Sequence, residues 1–236
     1  MSSPNKRLFP RRYAHNYYAL TRLKNVVGEI IRKYVDGKAG EKRLIDYGCG
    51  DAPYLPLFVD KVRQYVTCDI ERNALAEVTI GPDGRVPLPD KSFDIVLSVQ
   101  VLEHVDDVAQ YLSEANRLLK EDGLLLLSTH GQWIWHPFPR DLWRWTHEGL
   151  SCTLEKSGFE IIDTMWMLGM LAYSSQLRLF YLQRRMANKG PMLKFVFYVV
   201  SFVYNVLMSF QDKLESRQGK DNAAVYFVVA RKCQGS

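Results

Sequence analysis

Residues 43–52 read Arg43-Leu44-Ile45-Asp46-Tyr47-Gly48-Cys49-Gly50-Asp51-Ala52, a short apolar run that meets an acid and then turns through two glycines. A run of this length reads as a strand. Gly48 and Gly50 let the backbone turn tightly and let a ligand approach with no Cβ in the way. A strand, a glycine turn and a following helix make a small-molecule cradle at the carboxyl edge of a parallel sheet, although a GxG alone also fits a purely structural turn.

The charges around the turn narrow the choice of ligand. A dinucleotide loop calls for a third glycine at position 53, where this chain has Pro53, and keeps negative charge away from the diphosphate. Here Asp46 precedes the turn and Asp51 lies within it. Carboxylates so placed repel a diphosphate and suit a ligand with an amino group and a sulfonium cation, which describes S-adenosylmethionine. Asp69 closes a second apolar run, Tyr65 to Asp69, at the distance where an acid accepts from both ribose hydroxyls; Glu71 is the substitute.

Outward from this centre, apolar runs alternate with helical spacing. Strands are predicted at Arg43 to Tyr47, Tyr65 to Asp69, Val78 to Ile80, Phe93 to Val99, Gly123 to Thr129, Phe159 to Met165 and Ala224 to Arg231. Helices are predicted at Tyr17 to Val35 and Val105 to Lys120, and two strongly apolar ones at Leu168 to Met186 and Met192 to Phe210. The last two are split by Asn188-Lys189-Gly190-Pro191, a stop followed by a helix-starting proline. The pattern predicts an α/β fold: a Rossmann-like, doubly wound, mostly parallel seven-stranded sheet, with a helical insertion before the last strand. One domain spans 1–236, with residues 1–40 as an N-terminal helical segment and 168–216 as the insertion.

Composition sets the outer bounds. The 236 residues are 47% hydrophobic, enough for a full core, with a net charge of +5 gathered before residue 45 and around 178–194. That charge fits an anionic partner or a solvated face, and no nucleic-acid motif accompanies it. Cys49, Cys68, Cys152 and Cys233 are scattered without metal-ligand spacing, so no metal site is expected and reduced, cytoplasmic thiols are. The polar, basic stretch from Met1 to Arg12 lacks the apolar run of a signal peptide.

The motifs taken together resemble a known family. Asp46 to Ala52 and Thr67-Cys68-Asp69-Ile70 resemble the cofactor motif and acidic strand end of class I S-adenosylmethionine-dependent methyltransferases. Val86-Pro87-Leu88-Pro89-Asp90-Lys91-Ser92-Phe93-Asp94, Val101-Leu102-Glu103-His104-Val105 and Leu118-Leu119-Lys120-Glu121-Asp122-Gly123-Leu124 look like signatures of the type 11 methyltransferase group, in the same order over about residues 40–165. The resemblance implies Asp46, Gly48, Cys49 and Gly50 around the methionine moiety, and Asp69 with Ile70 at the ribose. It puts Gln100, Val101 and Leu102 beside the cofactor. Where the group carries an adenine-contacting acid this chain has Pro82, with Asp83 one step off. Ala52 replaces a third motif glycine.

Acceptor-side residues should follow the fourth and fifth strands. His130, directly after the fifth, is the first choice for base, with His104 and His136 as alternatives. The run from His136 to Thr146 offers Asp141, Arg144 and Trp145, with Trp133 just before it, as an acceptor-binding loop. A packing corner in which Asp141 pairs Arg144 fits the same residues. The run resembles a P-x-D-x-W-R-W-T pattern of type 11 relatives associated with surface-polysaccharide and glycolipid pathways. A saccharide or lipid-linked saccharide is therefore the expected acceptor. A quinone-like acceptor, or a non-catalytic cofactor-binding module, is the alternative. The apolar insertion fits shallow contact with the inner face of a membrane, a helical cap, or a homodimer interface.

Overall fold

The computed structural model describes residues 5–38, 40–70, 73–137, 139–186, 188–215 and 219–233. Its strands are β1 (Arg43–Tyr47), β2 (Gln64–Ile70), β3 (Val78–Ile80), β4 (Phe93–Val99), β5 (Leu119–His130), β6 (Phe159–Met167) and β7 (Val225–Lys232). They form one seven-stranded sheet in the order β3-β2-β1-β4-β5-β7-β6. The first five in that order are parallel, and β7 runs antiparallel between β5 and β6.

The helices are α1 (Tyr17–Ile30), α2 (Leu55–Phe58), α3 (Val108–Leu118), α4 (His147–Lys156), α5 (Met170–Met186) and α6 (Pro191–Leu214). They cover both faces, and side chains alternate accordingly along each strand. Leu126, Phe227 and Val229 face α1, α5 and α6, whereas Leu125, Leu127, Tyr226 and Val228 face α3 and α4.

Several boundaries differ from the sequence expectation. α1 stops at Ile30 and widens into a five-residue π turn, Ile31–Val35. α3 starts at Val108 because the Asp107 side chain caps it, accepting from the Gln110 amide at 2.9 Å; the preceding Leu102–His104 forms a single 3-10 turn. β5 begins at Leu119, four residues before the predicted start. α2 and α4 were not anticipated, and Thr146 caps α4 by accepting from the Gly149 amide at 3.0 Å. α6 starts on Pro191 as expected and runs on to Leu214.

The insertion is fastened to the N-terminal segment by polar groups. Asn205 accepts from the Tyr18 amide at 3.0 Å and donates to the Ala14 carbonyl at 2.9 Å. Asp212 accepts from the Gly169 amide at 2.9 Å and from the Tyr18 hydroxyl at 2.8 Å. The buried polar stripe of α6 is thus Ser201, Asn205 and Asp212, while Ser209 is only half-buried.

Candidate active site

A cleft of about 1590 Å³ opens at the carboxyl ends of β1, β2 and β4. At one end it is walled by the glycine turn. The amides of Gly48 and Cys49 both donate to the Cys68 carbonyl, at 2.8 and 3.0 Å, which ties the turn to β2. Gly48 has φ +84°, and a Cβ there would lie 2.6 Å from Val101 Cγ1; Gly50 has φ +55° and open space where a Cβ would sit. Only glycine meets both demands cheaply.

Two carboxylates border this turn. Asp69 Oδ2 accepts from the Gly50 amide at 2.8 Å and from Asn73 Nδ2 at 2.7 Å, and Oδ1 accepts from the Ile70 amide at 2.8 Å. Asp69 is thereby held in the cleft wall beside the turn, as the strand register predicts. Glu71 lies outside the described residues. Asp46 is buried, and the Tyr65 hydroxyl donates to it at 2.5 Å. Burial pushes its carboxyl up to about 7, against that hydrogen bond. A cationic ammonium brought beside it favours the charged form again. An open glycine turn flanked by two acids fits the methionine and ribose parts of S-adenosylmethionine and opposes a diphosphate.

The remaining cofactor candidates divide. Cys49, Ile70, Gln100 and Val101 line the cleft. Burial pushes the Cys49 thiol up to about 12, so it is a wall and not a nucleophile. Gln100 holds φ +59° and donates to Ser128 Oγ at 2.8 Å. Leu102 does not line the cleft; it is fully buried in the core beneath it. Asp83 does not line it either. Its carboxylate turns back to accept from the Arg85 amide at 3.0 Å, and Gly81, Pro82 and Gly84 form the wall instead.

At the other end the three histidines come together. His136 lies between the others, with ring centroids 5.8 Å from His104 and 6.1 Å from His130. His130 is buried, stacks on Trp133 at 5.1 Å, and sets Nδ1 3.3 Å from Glu103 Oε1. Glu103 is fully buried, with Oε2 accepting from Thr129 Oγ1 at 2.9 Å. Burial drives this pair toward neutrality: the Glu103 carboxyl rises to about 7 and the His130 imidazole falls to about 2. Burial lowers His136 as well, and its amide donates to Asp141 Oδ2 at 2.7 Å. His104 Nδ1 is bonded to the Arg140 carbonyl.

Of the proposed acceptor-loop residues only Trp133 lines the cleft; Asp141, Arg144 and Trp145 do not. Arg144 clasps Asp141 at 2.6 and 2.7 Å and donates to the carbonyls of Trp133, Ile134 and Trp143. Its guanidinium is engaged in holding the loop together, which leaves it poorly placed to meet a phosphate. Trp145 packs partly buried on the core beside α4.

Sequence reasoning missed several residues of this end. Lys6, Arg7 and His15 come from the N-terminal segment and Phe180 from α5. Glu103 was noticed only as one letter of a motif. No local pattern marks Lys6, Arg7, His15 or Phe180, because they meet the site only through the fold.

The chain resembles a "Probable S-adenosylmethionine-dependent methyltransferase" of Mycolicibacterium smegmatis, 28% identical over 155 residues, which are 58% of this chain and 59% of that protein. It also resembles the malonyl-[acyl-carrier protein] O-methyltransferase of Serratia marcescens, 28% identical over 127 residues, 50% of this chain and 49% of the relative. The chain thus spans about half the length of these curated relatives. Among solved structures, the [4+2]-cyclase SpnF superposes with a TM-score of 0.57 at 20% identity, covering 92% of this chain and 82% of its own. That likeness shows the fold alone, and a cyclase on this fold shows that the fold does not fix the reaction. The methyltransferase-domain family matches residues 13–164. With the cofactor turn and acidic strand end inside that span, the chain belongs to the class I S-adenosylmethionine-dependent methyltransferase family.

Proposed function

We propose that this chain methylates an oxygen of a saccharide or lipid-linked saccharide, in the cytoplasm, with S-adenosylmethionine as donor. Bound at the glycine turn, the cofactor supplies an electrophilic methyl group on a sulfonium. Asp46, Gly48, Gly50 and Asp69 hold it, and Cys49, Ile70, Gln100 and Val101 wall it in. The observation that carries the reading is the Glu103–His130 pair, a buried acid behind a cleft-lining imidazole.

Nδ1 of His130 faces Glu103, so Nε2 is the nitrogen left for the acceptor hydroxyl. With Glu103 ionised, Nδ1 carries the proton, Nε2 accepts the hydroxyl proton, and the carboxylate stabilises the resulting imidazolium. The acceptor oxygen takes the methyl group as its O–H bond breaks. Phe180 and Trp133, whose ring stacks with His130 and Tyr173, make an aromatic wall for a sugar or polyprenyl body, and Lys6 and Arg7 offer charge to a linking phosphate. The histidines His104 and His136 shape this corner.

The aromatic and aliphatic lining (Leu20, Leu23, Trp133, Phe180) also favours a second reading, a quinone-like hydroxyl acceptor. The deciding experiment incubates the purified chain with S-adenosylmethionine and either lipid-linked saccharides or hydroxyquinones, and follows demethylated cofactor and acceptor mass together. Methylated saccharide supports the first reading and methylated quinone the second. Cofactor binding without turnover on any acceptor would leave a binding module.

A further inference from the structure

The helix α6 is built inside out. The residues it buries are Phe197, Ser201, Asn205, Met208 and Asp212, three of the five polar. The apolar residues it exposes include Phe195, Val199, Phe202, Val203, Val206 and Phe210, which recur along one broad stripe of the helix. Phe195 is 66% exposed and Phe202 48%. Water favours the reverse arrangement, and a contiguous apolar stripe of this length marks a surface that meets something apolar.

Charge says what that is. No Asp or Glu occurs between Met170 and Gln211, a stretch that carries Arg178, Arg184, Arg185, Lys189 and Lys194. All five cations are exposed, and none pairs with a carboxylate among the described residues. A groove of about 410 Å³ between α5 and α6 sets Arg178 beside Leu177, Tyr181, Leu182 and Tyr204. An apolar wall with a guanidinium at it has the chemistry of an acyl chain and its phosphate. We infer that the exposed stripe of α6, with the outer face of α5, is a docking surface for an anionic phospholipid bilayer.

An 18-residue stretch within α6 reaches a mean hydropathy of 1.7, which would allow a crossing, but the attachments of the helix do not. Asn205 and Asp212 are bonded to the N-terminal segment and to the start of α5, and the chain beyond α6 returns to the sheet as β7 between β5 and β6. The helix therefore lies in the interface plane with one face immersed. Phe180 lines the cleft from the same α5 that carries Leu177 and Tyr181 into the groove, so the acceptor end sits next to the bilayer. The docking itself does not rest on the assignment of the acceptor.

The test is sedimentation of the full chain with phosphatidylcholine vesicles and with phosphatidylcholine–phosphatidylglycerol vesicles. The expected result is binding at least about tenfold stronger to the anionic vesicles, weakening as salt rises. The double variant Phe195→Glu/Phe202→Glu should lose that binding while still binding the cofactor. A Phe202→Trp variant, which keeps the surface apolar, should show added emission that brominated lipid chains quench. Absence of pelleting on either vesicle overturns the proposal. So does a stable dimer in ultracentrifugation that the glutamate pair splits, which would make the stripe a contact between copies. Retention on neutral vesicles that resists high salt and carbonate would overturn it in favour of a crossing.

Discussion

The two ends of the cleft are made by different means. The cofactor end is backbone and strand register: Gly48 and Gly50 turn, Cys68 ties the turn to β2, and Asp69 arrives beside it on the adjacent strand. The acceptor end is assembled from parts far apart in the chain, residues 6–23, 103–106, 130–136, 139–140 and 180, and its geometry lives in side chains. A backbone-built end tolerates little change of residue and binds one ligand. A side-chain-built end can be re-lined without disturbing the sheet, which is how one fold serves a methyltransferase and a cyclase.

The largest expected effect separates chemistry from cofactor binding. His130→Gln should lower kcat by about 10²–10⁴-fold while cofactor Kd stays within about threefold. The pH profile gives a second handle on the same corner. Burial raises the Glu103 carboxyl to about 7, and the base is competent only once that carboxyl has lost its proton. Turnover should therefore rise with pH up to about 7 and level off above it. Glu103→Gln, which cannot ionise, should flatten the rise and leave cofactor affinity intact. A steep rise that survives Glu103→Gln would move the base elsewhere.

Gly48→Ala should do the converse, harming the cofactor end first. The added Cβ meets Val101 at 2.6 Å in a backbone conformation with φ +84°, so both a clash and strain are introduced. A loss of about 1–3 kcal/mol in stability and a larger fall in cofactor affinity are expected by thermal melting and calorimetry. Adding Val101→Ala should recover only the part due to the clash. Asp69→Ala comes next, costing on the order of 1–3 kcal/mol in cofactor binding through lost ribose hydrogen bonds. Glu71→Ala should change that binding little; equal effects at the two positions would place the ribose elsewhere.

This difference in construction also governs what could be read in advance. The parallel sheet and its order of elements, the glycine turn and Asp69 follow from local periodicity and from a strand end close in sequence, so they were legible. The antiparallel β7 was visible as a strand, but its place between β5 and β6 was not, since pairing partners leave no local mark. Asp83 and Leu102 were named from their place in a motif, and a one-residue step decides whether a side chain faces the cleft, its own turn or the core. The inverted pattern of α6 was half legible. Its apolar length was plain, whereas which stripe faced the protein depended on Tyr18 and Ala14, nearly 190 positions away.

Arg144 pairs with Asp141 as the packing-corner reading of the loop had it, and it supplies the smallest of the expected effects. A charged residue in an aromatic loop reads equally well as a phosphate receptor or as a brace, because sequence does not reveal which donors are already engaged. Here the guanidinium forms a bidentate pair with Asp141 and reaches three backbone carbonyls, and Asp141 in turn accepts from the His136 amide. Its neighbour holds Asp141 down to about 2, so the pair stays charged across the working range. Arg144 is part exposed, which screens the pair, so Arg144→Ala should lower stability by only about 1 kcal/mol. The loop that carries Trp133 and His136 should loosen, raising acceptor KM several-fold and leaving cofactor Kd unchanged. Arg144→Lys keeps the charge but loses the fork, and should behave almost like Ala. If lysine instead restored acceptor KM in full, the charge alone would matter, and Arg144 would belong among the groups that meet the acceptor.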